Sequence, residues 1–142
     1  MTGAPMLQGI SHITLIVKDI DKSANLFRKI FDAREVYSSG DNYYSRSKEK
    51  FFLINDVWFV IMQGDSLQEK SYNHIAFKIN DDDYARYSGQ IDELGLDTIN
   101  DRNRIEGEGR SIYFYDYDNH LFELHTGSLN ERLRNYNIKS KN

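Results

Sequence analysis

Two stretches of this chain read almost alike: SHITLIVKD at residues 11–19 and NHIAFKIND at residues 73–81. Each begins with a polar residue and a histidine, continues as an apolar-rich strand, and ends in acidic residues that can cap a helix. The two histidines, His12 and His74, stand 62 positions apart (74 − 12). Repetition over such a distance indicates a duplicated structural unit.

The later parts of the two units also match. NDVWFVIMQG at residues 55–64 lies over DNHLFELHTG at residues 118–127, with turn, strand and closing glycine in register. This alignment sets Val60 against Glu123, so the two matched strands differ in chemistry at one position. The intervening segments predict the order β-α-β-β-β twice.

These patterns predict an α+β fold and a single domain over residues 1–142. The first repeat unit is expected at about 9–64, the second at about 71–128, and a C-terminal helix at about 128–138. Asp21 is the expected cap of the first helix.

Composition narrows the classes of function. The chain has 142 residues, no cysteine and a net charge of −4. Disulfides, a thiolate nucleophile and a cysteine metal site are excluded, and general nucleic-acid binding is disfavoured because it requires clustered cations. The longest apolar run, Val57 to Met62, is far shorter than the roughly 20 residues that span a bilayer, so no membrane contact is expected. The absence of a signal segment favours the cytoplasm.

Three of the repeated or matched residues form a candidate metal site. If the two units pair their sheets about a pseudo-twofold axis, His12 and His74 occupy equivalent places and Glu123 can join them. Two imidazoles and a carboxylate leave positions open for water or substrate, as a catalytic metal requires. Taken singly, each residue could instead be structural, but a histidine at the same place in both units favours a shared role. His120 and His125 lack counterparts in the first unit and are interpreted as structural.

The arrangement resembles the vicinal oxygen chelate superfamily, which includes glyoxalases and bleomycin resistance proteins, over nearly the whole chain. More narrowly, it is similar to the fosfomycin resistance proteins in four stretches: residues 11–19, 72–77, 108–116 and 118–125. This resemblance implies that His12, His74 and Glu123 bind manganese, with other divalent cations as alternatives. It also implies that Val60 stands where glyoxalases carry a fourth ligand, which disfavours a glyoxalase.

One further segment indicates which reaction to expect. SKEKFFLI at residues 47–54 resembles the water-adding branch of that family, the FosX type, in which a glutamate at the position of Glu49 is the general base. By itself the run Lys48 to Lys50 would be interpreted as a solvated charged segment. The resemblance therefore implies an antibiotic resistance enzyme, an epoxide hydrolase that opens the ring of fosfomycin with water.

The resemblance also supplies candidate contacts to the phosphonate of the substrate. Similar proteins contact it at the positions of Thr14, Tyr72, Ser111, Tyr113 and Arg132. Three arginines of a nearby loop remain unplaced candidates for the same role: Arg102, Arg104 and Arg110.

Other functions remain open on these residues. The nearest is a fosfomycin thiol transferase that uses glutathione or bacillithiol. A ferrous ring-cleaving dioxygenase could use the same ligand triad, although its relatives usually carry a second pair of modules. A drug-sequestering protein of the same fold would need no metal. By resemblance, the chain is also expected to form a homodimer in which domain swapping brings together sheets from both subunits.

Overall fold

The computed structural model describes residues 3, 6–42, 44–100 and 108–141, the last four of these by their backbone only. The chain divides into two compact units, Met1–Asp65 and Ser66–Asn142. The first unit contains β1 (His12–Val17), α1 (Ile20–Phe31), β2 (Arg34–Ser38), β3 (Glu49–Ile54) and β4 (Val57–Gln63). The second contains β5 (His74–Lys78), a 3₁₀ turn (Asp81–Asp83), α2 (Tyr84–Glu93), β6 (Thr98–Ile99), β7 (Ser111–Tyr115), β8 (Leu121–His125) and α3 (Leu129–Lys141).

The two sheets have the same topology. Their strand orders are β1-β4-β3-β2 and β5-β8-β7-β6, and in each the first strand pairs in parallel with the last strand of its unit. The register repeats as well, because Thr14 lies opposite Val60 and Ala76 lies opposite Glu123. The predicted α+β fold with two β-α-β-β-β units is confirmed. Val60 thus occupies, within its own sheet, the place that Glu123 occupies in the other.

Helix α1 forms because its apolar residues recur at helical spacing and cover one face of the first sheet. The Phe27 ring packs against Phe52 and Phe59, with ring centroids 5.5 and 6.1 Å apart. The cap of this helix is Asp19, whose side chain accepts a hydrogen bond from the Lys22 amide at 3.1 Å. The sequence prediction of Asp21 as the cap is wrong, since Asp21 already lies inside the first helical turn.

The second unit has an equivalent core on one face of its sheet. The Phe122 ring stacks with Phe77 and Phe114, with centroids 6.3 and 5.7 Å apart, and Ile91 of α2 is fully buried. Because side chains alternate along a strand, these positions turn Glu123 and its neighbours on the same strand face away from α2. The open face of each sheet therefore carries the candidate functional residues.

The C-terminal helix α3, predicted at about 128–138, begins with a side-chain cap at Ser128. The Ser128 hydroxyl accepts a hydrogen bond from the Glu131 amide at 3.2 Å and donates to the Glu131 carboxylate at 3.1 Å. The cap starts the helix next to the end of β8. Within the described residues, no helix has the length and apolar character needed to cross a bilayer.

Candidate metal centre

His74 opens strand β5 in the second unit, and its ring is held from several sides. The Tyr72 and Tyr113 rings meet it edge to face, with centroids 4.8 and 5.5 Å away. Its Nδ1 atom lies 2.6 Å from the carbonyl oxygen of Tyr72. Since a carbonyl oxygen only accepts, we assign the Nδ1 proton to this hydrogen bond. The Nε2 atom is thereby turned toward the open face of the sheet.

Glu123 meets this nitrogen from the neighbouring strand β8. Its Oε1 atom lies 2.9 Å from His74 Nε2, and its side chain is only 8% exposed. On the other oxygen, Oε2, the carboxylate accepts a hydrogen bond from the Ser111 hydroxyl, and His125 Nδ1 lies 3.3 Å away. A buried carboxylate needs such partners, because an isolated charge is costly to remove from water.

This pair of atoms fits a divalent metal ion. With the Nδ1 proton of His74 given to Tyr72, a cation is needed between Nε2 and the Glu123 carboxylate, either a proton or a metal. Imidazole with carboxylate is a donor set for first-row divalent metals, and the carboxylate suits Mn²⁺. The hydrogen bond at Nδ1 is the outer support usual for a metal-binding histidine. The residues present therefore match the expected chemistry.

A cleft of about 460 Å³ opens next to the pair, within the second unit. Three of the predicted substrate-binding residues line it: Tyr72, Tyr113 and Arg132. The two tyrosine hydroxyls lie 3.1 Å apart. Ser111 stands behind Glu123, to which it donates its hydrogen bond. The cleft thus places one guanidinium and two hydroxyls near the His74–Glu123 pair.

His125 also lines this cleft, whereas the sequence predicts only a structural role for it. Its Nδ1 atom lies 2.7 Å from the Ser111 hydroxyl, and its Nε2 atom lies 3.4 Å from Arg132. The signal that could have found it is strand alternation, since His125 stands two residues after Glu123 on the same face of β8. His120, by contrast, pairs with Asp116 at 2.8 Å within the turn before β8.

His12 lies in the first unit, at the start of β1. Its ring packs on Trp58, with centroids 4.3 Å apart, and its Nδ1 atom contacts the Ser11 hydroxyl at 3.0 Å. Thr14 follows on the same strand face, opposite Val60. The described residues bring His74 and Glu123 together, but they include no group of three or more His, Asp or Glu side chains able to hold a metal.

Glu49 begins strand β3 of the first unit and is 8% exposed. Of the described residues, none forms a hydrogen bond or ion pair with its carboxylate. The two neighbouring lysines form ion pairs with other carboxylates: Lys48 Nζ lies 2.8 Å from Asp41, and Lys50 Nζ lies 3.0 Å from Glu35. The hydrogen bond and charge of Lys48 hold the pKa of Asp41 below its usual range. Lys48 therefore has an ionised carboxylate of its own to pair with.

The direction of Glu49 follows from the register of the sheet. In β3 it alternates with Phe51, whose ring packs against Trp58 with centroids 5.2 Å apart. Trp58 in turn carries the His12 ring. Glu49 and His12 therefore lie on the same open face of the first sheet, opposite the face covered by α1.

Of the three loop arginines considered as phosphonate contacts, the structure describes Arg110. Arg110 donates from Nε to Asp81 at 2.9 Å, and its guanidinium lies 4.0 Å from the Tyr84 ring centroid. It is thus held at the start of α2 rather than in the lining of the cleft. Arg102 and Arg104 lie outside the described residues.

Comparisons with known proteins agree with this architecture. Residues 9–124 match the Glyoxalase/Bleomycin resistance protein/Dioxygenase superfamily. The fosfomycin resistance protein FosX of Listeria monocytogenes is 60% identical over 92% of this chain and 98% of its own length. The metallothiol transferase FosB of Bacillus licheniformis is 34% identical over 90% of this chain and 81% of its own length.

A solved structure of a FosX variant from Listeria monocytogenes, in complex with Mn(II) and 1S,2S-dihydroxypropylphosphonic acid, superposes with a TM-score of 0.86. It shares 55% of its sequence with this chain, covering 92% of this chain and 99% of the other. The match extends over both units that carry the candidate residues. The chain therefore belongs to the FosX fosfomycin resistance proteins, within the glyoxalase, bleomycin resistance protein and dioxygenase superfamily.

Proposed function

We propose that this chain is a manganese-dependent fosfomycin epoxide hydrolase, which confers antibiotic resistance by adding water to the epoxide of the drug. Its greater identity to FosX than to the metallothiol transferase FosB favours water over a thiol as the nucleophile. Water must lose a proton when it attacks carbon, so this reaction needs a base.

The observation that carries the proposal is the environment of Glu49. Glu49 is only 8% exposed, and no described residue binds its carboxylate oxygens by a hydrogen bond or ion pair, so these oxygens remain available to a water molecule. It lies on the same open face of its sheet as His12, a proposed metal ligand. Glu49 would take the proton from the attacking water without itself binding the metal.

The metal ligands in this proposal are His12, His74 and Glu123. When bound, Mn²⁺ acts as a Lewis acid that favours opening of the epoxide. The hydrogen bond from His74 to the Tyr72 carbonyl holds the imidazole with Nε2 toward the site, and Ser111 orients the Glu123 carboxylate. Both supports act before substrate arrives, so little reorganisation is needed.

The substrate contacts in this proposal are Thr14, Tyr72, Tyr113 and Arg132, while Ser111, the fifth expected contact, gives its hydroxyl proton to Glu123. A phosphonate is an anion with several acceptor oxygens, which a guanidinium and hydroxyl groups can satisfy. Arg132, Tyr72 and Tyr113 already border one cleft. Together they supply one positive charge and a pair of hydroxyl groups, of which Tyr72 donates to Tyr113.

Assembly and location complete the proposal. We propose a homodimer in which the sheets of each site come from both subunits, so that His12 and the His74–Glu123 pair join through assembly. We also keep the cytoplasm as the proposed compartment, to be tested by fractionating cells that express the protein.

The test is the substitution Glu49→Gln, which keeps the shape of the side chain and removes its basicity. Single-turnover reactions in oxygen-18 water with Mn²⁺ bound should label the diol made by the wild type. Formation of the diol by Glu49→Gln should fall by about 10²–10⁴-fold, the usual contribution of a positioned base. Binding of Mn²⁺ and fosfomycin should persist.

A matched control is Glu35→Gln, since Glu35 lies on the neighbouring strand and pairs with Arg28 and Lys50. Its hydration rate should stay near that of the wild type. Hydration by Glu49→Gln at the wild-type rate would remove Glu49 as the base. Rapid conversion with glutathione or bacillithiol, and none with water alone, would instead assign the chain to the thiol transferases.

A further inference from the structure

Four side chains of the second unit form a continuous line of hydrogen bonds that ends on Glu123. Arg132 approaches His125 Nε2 at 3.4 Å, and His125 Nδ1 lies 2.7 Å from the Ser111 hydroxyl. The Ser111 hydroxyl then reaches Glu123 Oε2. The line therefore joins a cation at the rim of the cleft to the carboxylate of the candidate metal centre.

The direction of every bond in this line can be worked out from the groups themselves. A guanidinium only donates, so His125 Nε2 must accept and carry no proton. In the neutral ring the proton then resides on Nδ1, which donates to the Ser111 oxygen at 2.7 Å, since this oxygen is nearer than Glu123 Oε2 at 3.3 Å. With its oxygen accepting from His125, the Ser111 hydroxyl directs its own proton to Glu123. Arg132 thus selects one tautomer of His125, and that tautomer sets the rotation of the Ser111 hydroxyl.

The backbone keeps space around His125 Nε2. A Cβ atom at Gly127 would lie 2.8 Å from this nitrogen and 2.8 Å from the carbonyl oxygen of Glu108. Only glycine at position 127 lets the ring and the chain at residue 108 approach in this way. The Arg132 guanidinium contacts both groups, because it lies 3.4 Å from His125 Nε2 and 3.5 Å from the Glu108 carbonyl oxygen.

We infer that His125 is a positioning residue for the metal centre, acting through Ser111 to hold the Glu123 carboxylate in its ligating orientation. This role rests on the proposed function, in which Glu123 binds Mn²⁺. Outer-shell partners of metal ligands typically contribute 10–100-fold in metal affinity, so the effect should be measurable without any assay of turnover.

Two substitutions of His125 distinguish the role of Nδ1 from the role of Nε2. In His125→Asn the amide nitrogen can take the place of Nδ1 and still donate to Ser111. In His125→Gln the longer side chain can place its amide oxygen near Nε2 and accept from Arg132, but it leaves the Ser111 side without a donor. We expect His125→Gln to weaken Mn²⁺ binding by about 10–100-fold and His125→Asn to change it by less than about threefold.

The measurement is an electron paramagnetic resonance titration, in which free Mn²⁺ gives the signal and the line shape of bound Mn²⁺ reports its coordination. His120→Gln is the matched control, because His120 contacts a carboxylate in the same hairpin but does not line the cleft. Its Mn²⁺ affinity should remain within about twofold of the wild type. Circular dichroism checks that each variant is folded.

A double substitution keeps the inference testable even if one variant folds poorly. If His125 acts through Ser111, the pair Ser111→Ala with His125→Gln should bind Mn²⁺ no more weakly than Ser111→Ala alone. Additive losses, or equal affinities for the Gln and Asn variants, would overturn the inference. A wild-type protein that binds no Mn²⁺ would instead overturn the proposed function, so the two failures are distinguishable.

Discussion

At the residue scale, one position separates the two otherwise matched sheets. Val60 in β4 and Glu123 in β8 occupy the same register position, yet one is apolar and the other is a carboxylate held by His74 and Ser111. The duplicated framework therefore supplies two histidine positions and only one carboxylate. The proposed ligands, His12, His74 and Glu123, would leave the open positions that a catalytic metal site requires.

We expect His12→Ala, His74→Ala and Glu123→Ala each to lose Mn²⁺ while keeping the fold. A missing ligand should lower the affinity by more than about 100-fold, since outer-shell partners alone contribute 10–100-fold. Metal content after dialysis, with circular dichroism of each variant, measures both properties. Full Mn²⁺ occupancy in all three variants would contradict the site. His120→Ala should keep its metal, because His120 pairs with Asp116 instead.

Two glycines of the second unit should respond oppositely to the same substitution. Gly109 has φ +76°, and a Cβ there would lie 2.5 Å from the Gly127 amide nitrogen, so Gly109→Ala should lower the free energy of unfolding by more than about 1 kcal/mol. Gly89 lies inside α2 with no atom within 4 Å of such a Cβ, so Gly89→Ala should raise it by about 0.5–1 kcal/mol. Urea unfolding of both variants checks the signs.

At the element scale, the start of α1 shows how a local pattern misleads. The sequence has two acidic residues at this point and predicts Asp21 as the cap, but Asp19 has the extended backbone (φ −119°) that a cap requires. Residue type alone does not show which aspartate is the cap, because the position of the cap depends on the residue at which strand β1 ends. The strand pairs themselves were predictable, since the repeat fixed which segments correspond.

The two aspartates give a direct comparison. Asp19→Ala removes the acceptor for the Lys22 amide and should lower the free energy of unfolding by about 1 kcal/mol. Asp21→Ala removes only a favourable charge in the first turn and should change it by less than about 0.5 kcal/mol. Thermal unfolding of both variants tests this order, and a larger loss for Asp21→Ala would contradict it.

At the scale of the whole molecule, sequence patterns predicted the fold better than the site. The repeat identified both sheets and the His74–Glu123 contact. It did not reveal His125, because its role depends on Ser111 and Arg132, which lie on another strand and on a helix. It also left Arg110 unplaced, and that side chain is bound to Asp81. The placement of His125 and Arg110 depends on contacts between segments that are distant in the sequence, and a periodic pattern does not predict such contacts.

The proposed dimer makes a prediction about concentration. If each site combines sheets from two subunits, activity should disappear as the protein is diluted below its dimer dissociation constant. Analytical ultracentrifugation beside rate measurements at the same concentrations tests this coupling. A monomer with full activity at assay concentration would contradict the proposed assembly. As a control, Glu49→Gln should have the same elution volume as the wild type in size-exclusion chromatography, because this substitution is not expected to change the assembly.

The isolation of Glu49 has a consequence for evolution under drug exposure. No described residue forms an ion pair or hydrogen bond with the Glu49 carboxylate, so Glu49→Gln breaks no such contact and should leave the free energy of unfolding within about 0.5 kcal/mol of the wild type. Glu35→Gln, which breaks ion pairs instead, should not raise it. Denaturant unfolding of the metal-free proteins decides. Stability would then place no constraint on this position, and only exposure to fosfomycin would select against variants that lose the carboxylate.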